Sequence, residues 1–199
     1  MLRCLTAVLL VATLHLPQLA VAAPDGAANG VEVVAVPALD IQIPVQLGAM
    51  HFVEREQFEE AGMGESLSFA GPARVHVNVY VYDDGFNNIP DGTQNAAVRE
   101  QFATVIEQAR QALKQYADAA RFPNSTQTSH FAGCGPQFLW QQFEFDLKGQ
   151  HNTSYTYLTG LHGQFVKLRI SHPAQESEAP RQVEVFLQQL RKALGRCAA

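Results

Sequence analysis

The stretch from Arg74 to Gly92, RVHVNVYVYDDGFNNIPDG, decides the fold. Val75, Val77, Val79 and Val81 alternate with His76, Asn78, Tyr80 and Tyr82. This is a period of two carried by β-branched and aromatic residues, so the segment reads as a strand with one purely apolar face. Its second face still ends in tyrosines, which suits a central strand covered at least partly on both sides. Asp83, Asp84 and Gly85 stop the strand, because short polar side chains compete for backbone hydrogen bonds and glycine accepts positive φ. Pro90, Asp91 and Gly92 give a second turn signal. The loop between the two signals is longer than the usual connection of about 4–6 residues.

Beyond the loop, Val98, Phe102, Val105, Ile106, Ala109, Leu113 and Tyr116 step by three and four, which predicts an amphipathic helix covering one face of the sheet. Thr93 is its expected N-cap, Gln101 and Gln108 fall on its other faces, and Pro123 bars its continuation. Phe138 to Leu147 is aromatic but changes parity: Phe138 and Trp140 share one side, Phe143, Phe145 and Leu147 the other. A bulge near Gln141 or Gln142 is therefore expected. A hairpin loop at Lys148 to Asn152 leads to a strand over Thr153 to Leu161, and a turn at Gly160 to Gly163 leads to Phe165 to Ser171. In this last strand Val166, Leu168 and Ile170 alternate with Lys167 and Arg169, giving a buried face and a wet one. Val183, Phe186, Leu187, Leu190 and Leu194 form the stripe of a closing helix, with Pro180 in its first turn and Gly195 at its end. Upstream, Met50 to Phe58 and the segment around Leu67 and Phe69 read as strands, while Pro37 and Pro44 confine Val31 to Leu47 to sheet edges or irregular structure.

At the N-terminus Arg3 precedes an apolar run from Leu5 to Leu16, and Ala20 to Ala23 offer small residues for cleavage. The run is shorter than the ~20 residues needed to span a bilayer, so residues 1–23 read as a secretory signal peptide, 24–30 as a polar tail and 31–199 as one domain. Cleavage removes Arg3 and takes the formal charge from −5 to about −6, with the basic residues scattered, which argues against nucleic acid as a partner. Cys134 and Cys197 remain after processing in an oxidising compartment and are expected to pair.

Strands up to Tyr82, a long helix, a three-stranded meander and a closing helix, with VYVYDDGFNNIPDG and LHGQFVKLRIS as landmarks, resemble the PsbP-like fold over roughly Val31 to Leu194. That fold is shared with Ran-binding Mog proteins and some bacterial envelope proteins. The resemblance implies an α+β domain, an antiparallel sheet flanked by helices in an α/β/α sandwich. It hosts several unrelated roles, so no functional residue comes with it.

No nucleophile elbow, phosphate loop, dinucleotide fingerprint or zinc-protease helix is present. The acidic loop fails the EF-hand spacing: the positions two and four after Asp84 are Phe86, which cannot coordinate, and Asn88, and no glutamate closes the loop. No histidines pair closely on one helix, and His130, His151, His162 and His172 fall in or beside expected turns, so neither a metal nor a cofactor is called for. Three readings stay open. The first is a binding or accessory protein of the cell envelope, exported to the periplasm or beyond, with a protein or small-molecule partner and no catalytic residues. Its contact surface would be built from Tyr80, Tyr82, Asp83, Asp84, Asp91, Lys167 and Arg169, joined by Tyr155 and Tyr157 if their strands share a face. The second is a thiol-dependent hydrolase centred on Cys134, with His130 or His162 as base and Asp146 orienting it. The third is a carrier of an apolar ligand held between the first helix and the sheet.

Overall fold

A computed structural model describes residues 31–197. The signal peptide and the tail expected over 1–30 lie outside the described residues. The chain runs β1 (Val33–Val36), a 3-10 turn (Pro37–Leu39), β2 (Ile41–Pro44), β3 (Gln46–Leu47), β4 (Met50–Gln57), β5 (Glu65–Ala70), β6 (His76–Tyr82) and α1 (Ala96–Tyr116). It continues through β7 (Ala119–Arg121), β8 (Gln127–Thr128), β9 (Leu139–Leu147), β10 (Gln150–Leu161), β11 (Gln164–Pro173) and α2 (Ala179–Leu194). The main sheet has the order β3-β4-β5-β6-β11-β10-β9-β7, with β8 also paired to β9, and every pairing is antiparallel. β1 and β2 form a separate two-stranded sheet, bounded by the two prolines that keep this segment out of the main one. The protein is thus α+β, with helices on the two faces of an antiparallel sheet.

The valine face of β6 is the floor of the larger core. Val75, Val77, Val79 and Val81 are fully buried together with Leu168, Ile170, Phe69, Met50 and the α2 stripe of Val183, Phe186, Leu187, Leu190 and Leu194. Burying that stripe of five contributes roughly 8–15 kcal/mol as an upper estimate, at about 1.5–3 kcal/mol per large apolar side chain. The smaller core lies on the opposite face, where Val98, Phe102 and Ile106 of α1 meet Tyr82, Leu139, Leu158 and Phe165. The sheet is therefore covered on both sides, and this explains β9 without a bulge. β9 pairs with β10 in unbroken register from Leu147↔Gln150 to Leu139↔Leu158. Phe138 and Trp140 belong to the α2 side, while Leu139 and Phe143 are buried on the α1 side, so the parity change reflects two cores and not an extra residue.

Several local expectations shift. α1 starts at Ala96, and its N-cap is Asn95, whose Oδ1 accepts a hydrogen bond from Val98 N at 2.9 Å; Thr93 is instead buried. Tyr116 at the end of the stripe is 71% exposed, whereas Gln101 is buried within it. The two hairpin connections are tighter than expected. Lys148 and Gly149 (φ +51°, +76°), and His162 and Gly163 (φ +51°, +80°), are two-residue turns with both residues left-handed.

Candidate binding site

The aromatic residues of β9 and β10 that face α2 stand side by side because those strands are neighbours. Tyr157 lies opposite Trp140 in the ladder, and their rings stack at 5.9 Å between centroids and 17° between planes. Tyr155, two residues along the same face, extends the row at 6.4 Å from Tyr157, and Phe138 supports Tyr157 edge-on from beneath. Burial raises the phenol pKa of both tyrosines above the ordinary value, with Tyr157 the more affected.

Pro180, Val183 and Leu187 of α2 form one wall above this floor, and Gln127 to Phe131 form the other. They enclose about 450 Å³, with the exposed side chains of His130 and Glu184 on the rim. That size falls within the ~300–1,000 Å³ of ordinary small-molecule sites. A wider groove of about 630 Å³ runs between Asp40–Gln42 and the end of α2, but Asp40, Gln42, Lys192 and Arg196 make it polar and it has no aromatic floor.

The loop wall is fastened from within. Gln137 Oε1 accepts from Ser129 Oγ (3.2 Å) and Phe131 N (3.0 Å), and its Nε2 donates to Phe131 O (2.9 Å). Behind it Arg191 of α2, only 2% exposed, donates from Nε to Pro136 O (2.8 Å) and from Nη2 to Gly135 O (3.1 Å). Its guanidinium lies 4.5 Å from the centre of the Phe131 ring. Gly135 has φ +105°, and a Cβ there would collide with the carbonyl of Arg191, so this close approach requires glycine. The Cys134–Cys197 disulfide, with Cα atoms 6.0 Å apart, ties the same loop to the end of α2.

That disulfide also corrects the thiol reading. Cys134 holds no thiolate while the bond is closed, His162 Nδ1 is bonded to Leu39 O at 2.8 Å, and Asp146 is engaged with His151 at 2.6 Å. His172, expected in or beside a turn, is buried in β11 with Nδ1 2.8 Å from Pro173 O, and His76 on β6 is exposed. Among the described residues no three metal-ligating side chains cluster.

The expected contact surface is divided by the sheet. Tyr80, Tyr82, Lys167 and Arg169 lie on the α1 side, on the paired strands β6 and β11, whereas Tyr155 and Tyr157 face α2. Lys167 Nζ sits 4.1 Å from the centre of the Tyr80 ring and 5.3 Å from that of Tyr82. Gln101 Nε2 donates to Tyr82 Oη (3.2 Å) and Asp84 Oδ2 (3.1 Å). The long loop is pinned down: Asp83 Oδ1 accepts from Gly85 N, Asp91 Oδ1 accepts from His162 N, and Gly92 exchanges two backbone bonds with Gly160. The cleft residues Trp140, Val183 and Leu187 were readable only as core. The parity change along β9 was the one sign that aromatic rings there face two different layers.

Fold and cleft together define an α+β protein with an antiparallel sheet, helices on both faces and an aromatic-floored cavity beneath the second helix. No protein-family model matches the chain, and no curated protein matches it. Among solved structures it is similar to a cyanobacterial PsbP (CyanoP) from Synechocystis sp. PCC 6803. The TM-score is 0.49 at 9% identity, covering 84% of this chain and 98% of that one. It is also similar to LpqN, involved in cell envelope biogenesis of Mycobacterium tuberculosis, at a TM-score of 0.40 and 12% identity, covering 75% and 80%. A PsbP thus stands among the similar structures, as the order of elements implied. These likenesses concern the fold, and neither assigns a residue or a role to this chain.

Proposed function

We propose that the protein is an exported binding protein of the cell envelope, without covalent chemistry of its own, whose ligand lies against Trp140, Tyr155 and Tyr157. The aromatic row carries this reading. Three rings in line on adjacent strands line the cleft with aromatic carbon, and the His130 and Glu184 rim supplies polar edges, a combination suited to an aromatic or apolar ligand with a polar end. The disulfide and the leader-like N-terminus support export. The apolar carrier reading keeps its chemistry but moves from the first helix to the second.

Trp140 is the only tryptophan of the chain, so its emission reports directly on the cleft. Titration with 8-anilinonaphthalene-1-sulfonate as a planar probe is expected to quench Trp140 by energy transfer. Tyr155→Ala is expected to weaken that binding about tenfold, a loss of ~1.4 kcal/mol. Probe binding unchanged in both Trp140→Leu and Tyr155→Ala would sink the proposal.

A further inference from the structure

On the other face of the sheet, β11 places two cations, Lys167 and Arg169, two residues apart on the α1 side. Among the described residues neither has a carboxylate within ion-pair distance or a hydrogen-bond acceptor. The acid nearest in effect to Lys167, Asp84, is already bonded to Gln101. A half-buried charge such as Lys167 ordinarily finds a partner, and the exposed Arg169 beside it raises its cost further.

The pair opens on a cavity of about 200 Å³ between α1 and the sheet. Val105, Ala109 and Ala112 of α1 form its apolar side, and Gln108 and Thr156 add polar groups. Lys167 also borders a smaller pocket of about 100 Å³ with Tyr80, Tyr82 and Gln101, so its side chain, whose Nζ lies over the Tyr80 ring, borders both spaces. Arg169 is exposed at the mouth. The geometry points to a second ligand site here, for a small monocarboxylate whose head group meets Lys167 and Arg169 and whose short apolar tail lies on Val105, Ala109 and Ala112. The volume is below the usual range for drug-sized ligands, which restricts the tail to a few carbons. A charge-assisted bond to Lys167 and a forked one to Arg169 would supply the missing counter-charge.

Hexanoate is the probe, with hexan-1-ol as its neutral counterpart and inorganic phosphate as an anion without a tail. Calorimetry and backbone amide shifts of the full protein are expected to show hexanoate binding, with shifts at Val105, Ala109 and Ala112 and much weaker binding of the other two. Lys167→Met and Arg169→Gln should each weaken hexanoate at least tenfold, while Trp140→Leu, on the opposite face, should leave it unchanged. Arg169 is exposed, so its replacement tests the site without disturbing the core. The inference is overturned by any of four results: no hexanoate binding, equal binding of hexan-1-ol or phosphate, unchanged binding in Arg169→Gln, or shifts confined to the Trp140 cleft. The last result would bear on the second site alone and leave the aromatic cleft standing.

Discussion

Lys167 is a cation whose surroundings oppose its ordinary chemistry. Burial first, and then the neighbouring Arg169, push its pKa from 10.5 down to about 8, against a weaker opposing pull from Asp84. A lowered pKa means that the unfolded chain binds this proton more tightly than the folded one, so this term destabilises the fold below pH 8 and vanishes as pH rises toward 10.5. The shift corresponds to at most about 3 kcal/mol, reduced by partial exposure, and the contact with the Tyr80 ring returns about 0.5–1 kcal/mol. Lys167→Met is therefore expected to be more stable than the parent by about 1–2 kcal/mol at pH 7, with the gain shrinking between pH 8 and 10. Urea denaturation of both proteins across that range checks it. Burial holds the Tyr80 and Tyr82 phenols above the ordinary tyrosine value, so they stay protonated in the folded protein through this window, and the unfolded phenols titrate alike in both proteins.

At the scale of elements, α2 does two jobs through two faces. Its apolar stripe closes the main core, and Arg191 on its last turns grips the loop that walls the cleft. Removing a buried donor that holds backbone carbonyls leaves those carbonyls without partners, at about 1–3 kcal/mol each. Arg191→Ala is expected to cost about 3 kcal/mol in melting experiments and to free the Phe131 segment, seen as faster amide exchange at Phe131 and weaker probe binding at Trp140. Arg191→Lys should rescue little of this, because an ammonium cannot fork between Pro136 and Gly135. Much of this layout was legible in advance. The valine period of β6, the stripe of α2 and the pairing of Cys134 with Cys197 depend on local pattern or compartment, and they hold. What sequence pattern did not reveal depends on the third dimension. Asn95 outcompetes Thr93 as cap because the loop before it is pinned to Gly160. Gln101 enters the α1 stripe because Tyr82 and Asp84 await its amide. Trp140 becomes a cleft floor only when β9 lies beside β10 under α2.

For the molecule as a whole, the covalent cross-link spans 63 positions and joins the end of the described chain to the loop ahead of β9. Closing a loop of this size restricts the unfolded chain by about 4 kcal/mol in the chain-entropy model. A typical domain has only ~5–15 kcal/mol of total stability. Reduction under native conditions is expected to lower the denaturation free energy by about 2–4 kcal/mol. The cleft should open with it, because Cys134, Gly135 and Phe131 belong to one segment. An equal melting temperature with and without reductant would show that the Arg191 bonds suffice to hold the loop.

The strand order also has a kinetic meaning. β3 to β6 form one run of neighbours and β9 to β11 another, and the two runs meet only where β6 pairs with β11, Val79 opposite Leu168. Hairpins within each run close in roughly 1–10 μs, but the seam joins segments separated by the whole of α1 and the second meander. Its closure carries the largest loop entropy and should set the folding rate. Val79→Ala, at a fully buried seam position, is expected to slow refolding about tenfold and to change unfolding much less. Leu187→Ala on α2 should chiefly accelerate unfolding. The β6 strand would then be the place where two independently forming halves become one protein.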